Sequence, residues 1–203
     1  SNTWNPAMTN NLLFEHFAML TTAPDGIAQL RELILQIAVQ GKLGTQETGD
    51  ELASVLLEKI KREKEWRAKE GKIKKEKPFE PKGQLKYSLP KTWISTPLGA
   101  ILSFEYGESL PKIKREDSGK IPVYGSNGIV GYHSKAITKG PAIIIGRKGS
   151  VGAIQISNVP CHPIDTAYYF DNFENLDFKF IFYLLTSLKL GSLDKSTAIP
   201  GLN

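Results

Sequence analysis

"IPVYGSNGIVGYHSKAITKGPAIIIGRKGSVGAI", residues 121–154, decides how the second half of this chain is read. Glycines stand at 125, 128, 131, 140, 146, 149 and 152, with β-forming residues between them. Such spacing serves a phosphate cradle, a nucleophile elbow or a β-hairpin. A phosphate cradle requires GxxxxGK[ST] between a strand and a helix, so that backbone N–H groups and a helix N-terminus surround the anion. Here five residues separate Gly140 from Gly146, Arg147 stands where Lys is needed, and β-formers follow. An elbow requires GxSxG, but Lys148 occupies the first glycine position ahead of Ser150. Two tight β-connections remain. "YGSNGI" offers Asn127-Gly128, a pair suited to positive φ, and "GRKGSV" holds Arg147 and Lys148 between two glycines.

Polar and basic residues on rigid tips suit nucleic acid. Arg147 has the fork that meets guanine O6 and N7, Asn127 can do the same for adenine, and Ser126 or Ser150 can reach phosphate. Ordinary hairpin tips, made polar for solubility, explain the same residues equally well. Other chemistry finds little support. Three histidines and one cysteine are a poor metal inventory, without CxxC, HxxxH or HExxH spacing. Cys161 and His162 are adjacent, so on a strand they point to opposite faces and do not form a nucleophile–base pair. Asp165, Asp171, Glu174 and Asp177 read as caps and solvated carboxylates. No catalytic set and no metal site are therefore expected.

Working outward, the first part of the chain is helical in pattern. Leu13, Phe17 and Leu20 share one spacing. Ile27, Leu30, Leu33, Ile34, Ile37 and Ala38 form a stripe that Asp25 could cap and that Gly41 and Gly44 end. A further helix, capped by Thr48 or Asp50, carries Leu52, Val55, Leu56 and Ile60. Beyond Ile60 it reads as a solvated arm held by pairs such as Glu58–Arg62 and Glu63–Arg67. Pro78, Pro81 and Pro90 mark a linker. From Trp93 onward short β-like runs take over: "LGAILSFEYG", "KIPVY", "IVGYHS", "AIIIG", "SVGAIQIS" and "DTAYYFD". A helix over "NLDFKFIFYLLTSLKLG" follows, with Asn175 as cap and Phe178, Ile181, Phe182 and Leu185 inward. The fold class is α+β. The expected division is a helical region over 1–76, a Pro/Lys-rich linker over 77–92, and a mostly β domain with at least one helix over 93–203.

Of 203 residues, 40% are hydrophobic and 23% charged, as in an ordinary globular protein. No stretch is long and apolar enough to span a membrane, and the N-terminus lacks the pattern of a secretory signal. A lone cysteine excludes an internal disulfide and fits a prokaryotic cytoplasm. The net charge of +5 is unevenly spread. Residues 1–57 carry two basic and six acidic side chains, and residues 58–86 twelve and six. Residues 112–148 hold eight basic and two acidic residues, whereas 165–177 hold four acidic and none basic. That asymmetry suits a directed face for a polyanion, and a solvated surface accommodates it as well.

The runs "PVYGSNGIVGYHSKA", "GPAIIIGRKGSVGAIQIS", "DTAYYF" and "STAIPGLN", in this order, resemble the target recognition domain of type I restriction-modification specificity subunits. "LRELILQIAVQGKL" and "ASVLLEKIKREKE" resemble the helical segments that accompany such domains. The resemblance runs from about residue 26 to the end. It implies a non-catalytic subunit with two recognition domains, separated by long paired helices and each reading one half of a bipartite site in double-stranded DNA. It further implies methyltransferase (M) and restriction (R) subunits as partners, with ATP, magnesium (Mg) and S-adenosylmethionine held by them and no cofactor in this chain. Only one such domain is present here. The chain stops where the family's helix would begin, so a truncated piece is the favoured expectation over a half-subunit; its helical segments fit a partner outside it and, equally, packing on the recognition domain itself.

On this reading Lys112, Lys114 and Arg115 anchor phosphates. Ser126, Asn127, Arg147 and Lys148 make groove or backbone contacts, and Ser150 reaches phosphate. Tyr124, Tyr132, Ile143 to Ile145 and Phe182 belong to the core. The rival reading is a protein-interaction module that binds a methyltransferase subunit and has only non-specific affinity for DNA. A cryptic nuclease or hydrolase lacks a catalytic set.

Overall fold

The computed structural model describes residues 21–44, 47, 49–71, 88–116 and 118–193. The expected helix of Leu13, Phe17 and Leu20, the cap Thr48, most of the linker and the closing "STAIPGLN" lie outside the described residues. The chain divides into two compact units, Ser1–Ala53 with Gly83–Ser95, and Ser54–Lys82 with Thr96–Asn203. These units cut across the division at 76 and 93 read from composition.

In the first unit, α1 spans Gly26–Val39. Its C-terminus closes as the spacing predicts. Gly41 N–H bonds to Ala38 O at 2.9 Å and Lys42 N–H to Ile37 O at 3.1 Å, with Gly41 at φ 68°. These two bonds satisfy carbonyls that the helix end would otherwise orphan. The N-terminus departs from expectation: Asp25 is itself left-handed (φ 57°) and its side chain makes no capping bond. The apolar stripe is largely open to solvent, with Ile27, Leu33 and Ile34 all exposed.

α2 spans Ala53–Lys69. Asp50 lies in a bend ahead of it, and Ala53 N–H bonds to Thr92 O. The expected solvated arm is instead docked within the second unit. Ile60 is buried. Glu63 accepts from Asn172 Nδ2 at 2.5 Å and from Asn175 Nδ2 at 2.8 Å. Lys64 Nζ donates to the carbonyl of Gly99 at 2.5 Å, and Arg67 faces Glu105 at 3.9 Å. Charge alone marked this stretch as solvated. Its polar residues find partners that are distant in sequence, which a helical-spacing argument cannot see.

The β-rich part begins with a correction. "LGAILSFEYG" is a short helix α3 (Leu98–Ile101) followed by a two-residue strand β1 (Glu105–Tyr106). Then come β2 (Ile121–Gly125), β3 (Gly128–His133), β4 (Ala142–Gly146), β5 (Ile154–Ser157), β6 (His162–Pro163) and β7 (Ala167–Phe170). α4 spans Phe178–Ser187. One sheet has the order β1-β7-β4-β5 and the other β3-β2-β6. The pairing of β2 with β6 is parallel and that of β2 with β3 antiparallel.

β4 organises the core. All five of its residues are buried, and successive side chains on a strand face opposite ways. Ile143 and Ile145 join Leu102, Phe170 and the α4 residues Ile181 and Leu185. Ala142 and Ile144 join Tyr124, Cys161 and Ala167. One strand therefore serves both clusters, which explains a continuous "AIIIG" where alternation would mark a half-exposed strand. Ile181 and Leu185 are fully buried, and each such side chain contributes about 1.5–3 kcal/mol of burial. α4 is capped by Asp177, whose carboxylate accepts from Phe180 N–H at 2.6 Å; the expected cap Asn175 instead holds Glu63.

Candidate nucleic-acid interface

β2 and β3 pair up to Gly125 opposite Gly128, so Ser126 and Asn127 form the tip of a hairpin. Asn127 does not adopt the positive φ expected of it; Gly128 alone does, at 128°. β4 and β5 form the second hairpin, whose connection carries Arg147, Lys148 and Ser150. Arg147 and Lys148 N–H groups both bond to Thr166 O, at 2.9 and 3.1 Å, and Gly146 N–H bonds to Ala153 O at 2.8 Å. Three backbone bonds thus fix this connection to the ends of β5 and β7.

The two tips, twenty residues apart in sequence, meet in space. A Cβ on Gly146 would strike the Ser150 carbonyl and come within 2.6 Å of the Ser126 carbonyl, and one on Gly149 would lie 3.5 Å from Ser126 Oγ. Only glycine at 146 permits this approach. Asn127 and Lys148 are exposed at the junction, while Ser126 and Ser150 are half-buried within it.

Arg147 is placed differently from an open tip residue. Its guanidinium lies 5.0 Å from the Tyr106 ring and 5.8 Å from the Tyr168 ring, and Nη1 donates to Asp165 O at 3.1 Å. Tyr106 and Tyr168 are cross-strand partners on β1 and β7, with ring centroids 4.8 Å apart. A guanidinium so held contributes about 0.5–2 kcal/mol per aromatic contact. Burial, followed by the Tyr106 hydroxyl, raises the Tyr168 pKa, and Arg147 opposes the rise. The tyrosine pair was not singled out in the sequence; its signal is the alternation within "AYYF", which turns Tyr168 away from Tyr169.

Arg115 likewise has internal duties. Nε donates to Leu110 O at 3.2 Å and Nη1 to Val130 O at 2.9 Å, while Glu116 N–H bonds to Tyr132 O at 2.8 Å. Residues 115 and 116 therefore cover outward carbonyls of β3, which lies at the end of its sheet and would otherwise present an open edge. Lys112 and Lys114, on a single 3-10 turn, are exposed. Lys120, Lys135 and Lys139 are also exposed. Tyr132, expected in the core, is exposed: it lies on β3, the end strand of its sheet. Tyr124 is buried and Phe182 packs against the first cluster, as expected.

Three further candidate side chains have partners within the fold. Asp171 accepts from Lys139 N–H at 3.0 Å, and Asp177 caps α4. His133 Nδ1 lies 3.2 Å from Glu116. No helix among the described residues is long and apolar enough to cross a membrane.

The site thus consists of polar and basic residues on two hairpin tips that meet at Gly146 and Ser126. A family model described as "Type I restriction modification DNA specificity domain" matches residues 90–203. The chain belongs to that family. It is 44% identical over 95 residues to the type I restriction enzyme EcoAI specificity subunit of Escherichia coli, covering 46% of this chain and 16% of that subunit. To the EcoEI specificity subunit of Escherichia coli it is 36% identical over 113 residues, covering 55% of this chain and 19% of that subunit. The chain thus spans about a fifth or less of these relatives. Among solved structures, the S subunit of a type I system from M. genitalium covers 50% of this chain and 29% of its own, at 21% identity and a TM-score of 0.45. The HsdS subunit from Thermoanaerobacter tengcongensis covers 73% and 44%, at 18% identity and a TM-score of 0.43.

Proposed function

We propose that the β-rich unit reads one half of a bipartite site in double-stranded DNA and directs methyltransferase and restriction subunits to it. The observation that carries this reading is the convergence of the 126–127 and 147–150 tips at Ser126 and Gly146, with Asn127 and Lys148 both exposed on them. Base contacts need such preorganisation, because each good pair contributes about 1–3 kcal/mol of discrimination only when its geometry is held. Asn127 and Lys148 are the foremost groove contacts, with Ser126 and Ser150 toward phosphate. Arg147 acts chiefly by shaping the second tip, and Arg115 by holding the loop of Lys112 and Lys114 against β3. Those lysines meet phosphate, each adding roughly one unit to the salt slope. The chain performs no chemistry itself; ATP, magnesium and S-adenosylmethionine act in the partner subunits.

A second reading, a module that binds a methyltransferase subunit and touches DNA without preference, is favoured by the exposed Ile27, Leu33 and Ile34 of α1. A helix face of that kind suits a partner helix. The two readings separate in one assay. The protein is co-purified with its methyltransferase subunit and titrated with a methylation-mapped duplex and a scrambled one. A preference of 100-fold or more supports sequence reading. Equal binding of both duplexes supports the second.

A further inference from the structure

Among the described residues, Ile113 is the most exposed large apolar side chain, at 93%, and the next is Tyr106 at 59%. A scattered surface isoleucine is ordinary. This one stands on an anchored turn. Leu110 is buried with Val123 and Ile164 at one end. At the other, Arg115 is clamped to Val130 O, and its Nε returns to Leu110 O, closing the loop on itself. Lys114 N–H to Pro111 O, at 2.9 Å, and Arg115 N–H to Lys112 O, at 3.1 Å, stiffen the turn between. Ile113 is therefore presented outward by a locked loop, with an exposed lysine on each side.

We propose that Ile113 is a specificity-determining base contact: an apolar tip that enters a DNA groove while Lys112 and Lys114 hold the phosphates on either side. The inference rests on the DNA-reading function proposed above and adds a residue to it. Lysines flanking an apolar tip on an anchored turn match the charge of a duplex backbone and the apolar features inside its grooves, the thymine methyl and the faces of unstacked steps. A locked loop also loses little conformational freedom on binding. Because Ile113 is almost wholly solvated, its truncation removes no internal packing.

The test uses the protein co-purified with its methyltransferase subunit, the mapped and scrambled duplexes, and a series of salt concentrations. Ile113→Ala is expected to weaken the mapped duplex about 10-fold, leave the scrambled duplex unchanged, and keep the slope of log K against log salt. The double variant Lys112→Gln/Lys114→Gln is expected to weaken both duplexes and lower the slope by up to about two units. Ile113→Ala binding the mapped duplex as the wild type does, or weakening both duplexes equally, overturns the assignment while leaving the DNA-reading function standing. A wild-type complex without preference overturns both. Circular dichroism of Ile113→Ala matching wild type confirms that the loss is not one of folding.

Discussion

Replacing Gly146 with alanine tests the junction of the two tips directly. The added methyl would collide with the Ser150 carbonyl and lie 2.6 Å from the Ser126 carbonyl. Both obstacles are backbone, so neither can rotate aside as a flexible side chain would. An ordinary C···O approach is about 3.3 Å, so the Ser126 tip must retreat by about 0.7 Å, and the 150 turn must give way as well. Overpacking of this kind costs about 1–3 kcal/mol, and each kcal/mol lowers Tm by about 2–4 °C for a chain of this size. Binding geometry tolerates about 0.5 Å, so preference for the mapped duplex should fall about 10-fold, or about 1.4 kcal/mol. Differential scanning fluorimetry and duplex titration read the two effects. Gly140→Ala is the control, since a Cβ there meets nothing within 4 Å. A Gly146→Ala protein with wild-type Tm and wild-type preference would refute the claim that the tips are held together by close approach.

Other perturbations probe separate parts of the structure. Glu63→Ala leaves Asn172 and Asn175 without their shared acceptor and should lower unfolding stability by about 1–3 kcal/mol, read by urea denaturation; an unchanged midpoint would mean that α2 is not docked through Glu63. Arg147→Lys keeps the charge but loses the fork over Tyr106 and Tyr168, so both Tm and duplex preference should drop; full retention would show that charge alone suffices there. The Cys161 thiol is fully buried and its pKa is pushed up by burial, so it should resist a disulfide-exchange reagent near neutral pH until the protein is unfolded in denaturant. Rapid labelling of the native protein would contradict that placement.

Much of the β-rich fold is legible in the sequence because its strands are punctuated. "KIPVY" and "IVGYHS" flank a two-residue tip, "AIIIG" is too uniformly apolar for anything but a buried element, and "DTAYYFD" is a short aromatic run bounded by aspartates. Two elements hide for physical reasons. β6 is two residues long and stands in a parallel pairing, which leaves no periodicity to detect. "LGAIL" is as apolar as a strand, yet it forms a short helix that packs Leu98 and Ile101 against the first cluster. Long-range polar bonds decide the rest. Nothing near Glu63 in sequence announces Asn172 and Asn175, and nothing near Arg115 announces Val130. The candidate tip residues were found because turn chemistry is local. That Arg115 and Arg147 hold structure as well as charge depends on contacts that only the folded chain creates.

Adenine-methylation mapping in cells carrying the complete system tests the central claim most directly, comparing wild type with an Asn127→Ala/Lys148→Ala protein. The account predicts a bipartite wild-type motif of which one half relaxes or changes in the variant while the other half and the spacing stay fixed. A variant that methylates the wild-type motif at wild-type occupancy, or a wild type without any defined motif, would contradict it.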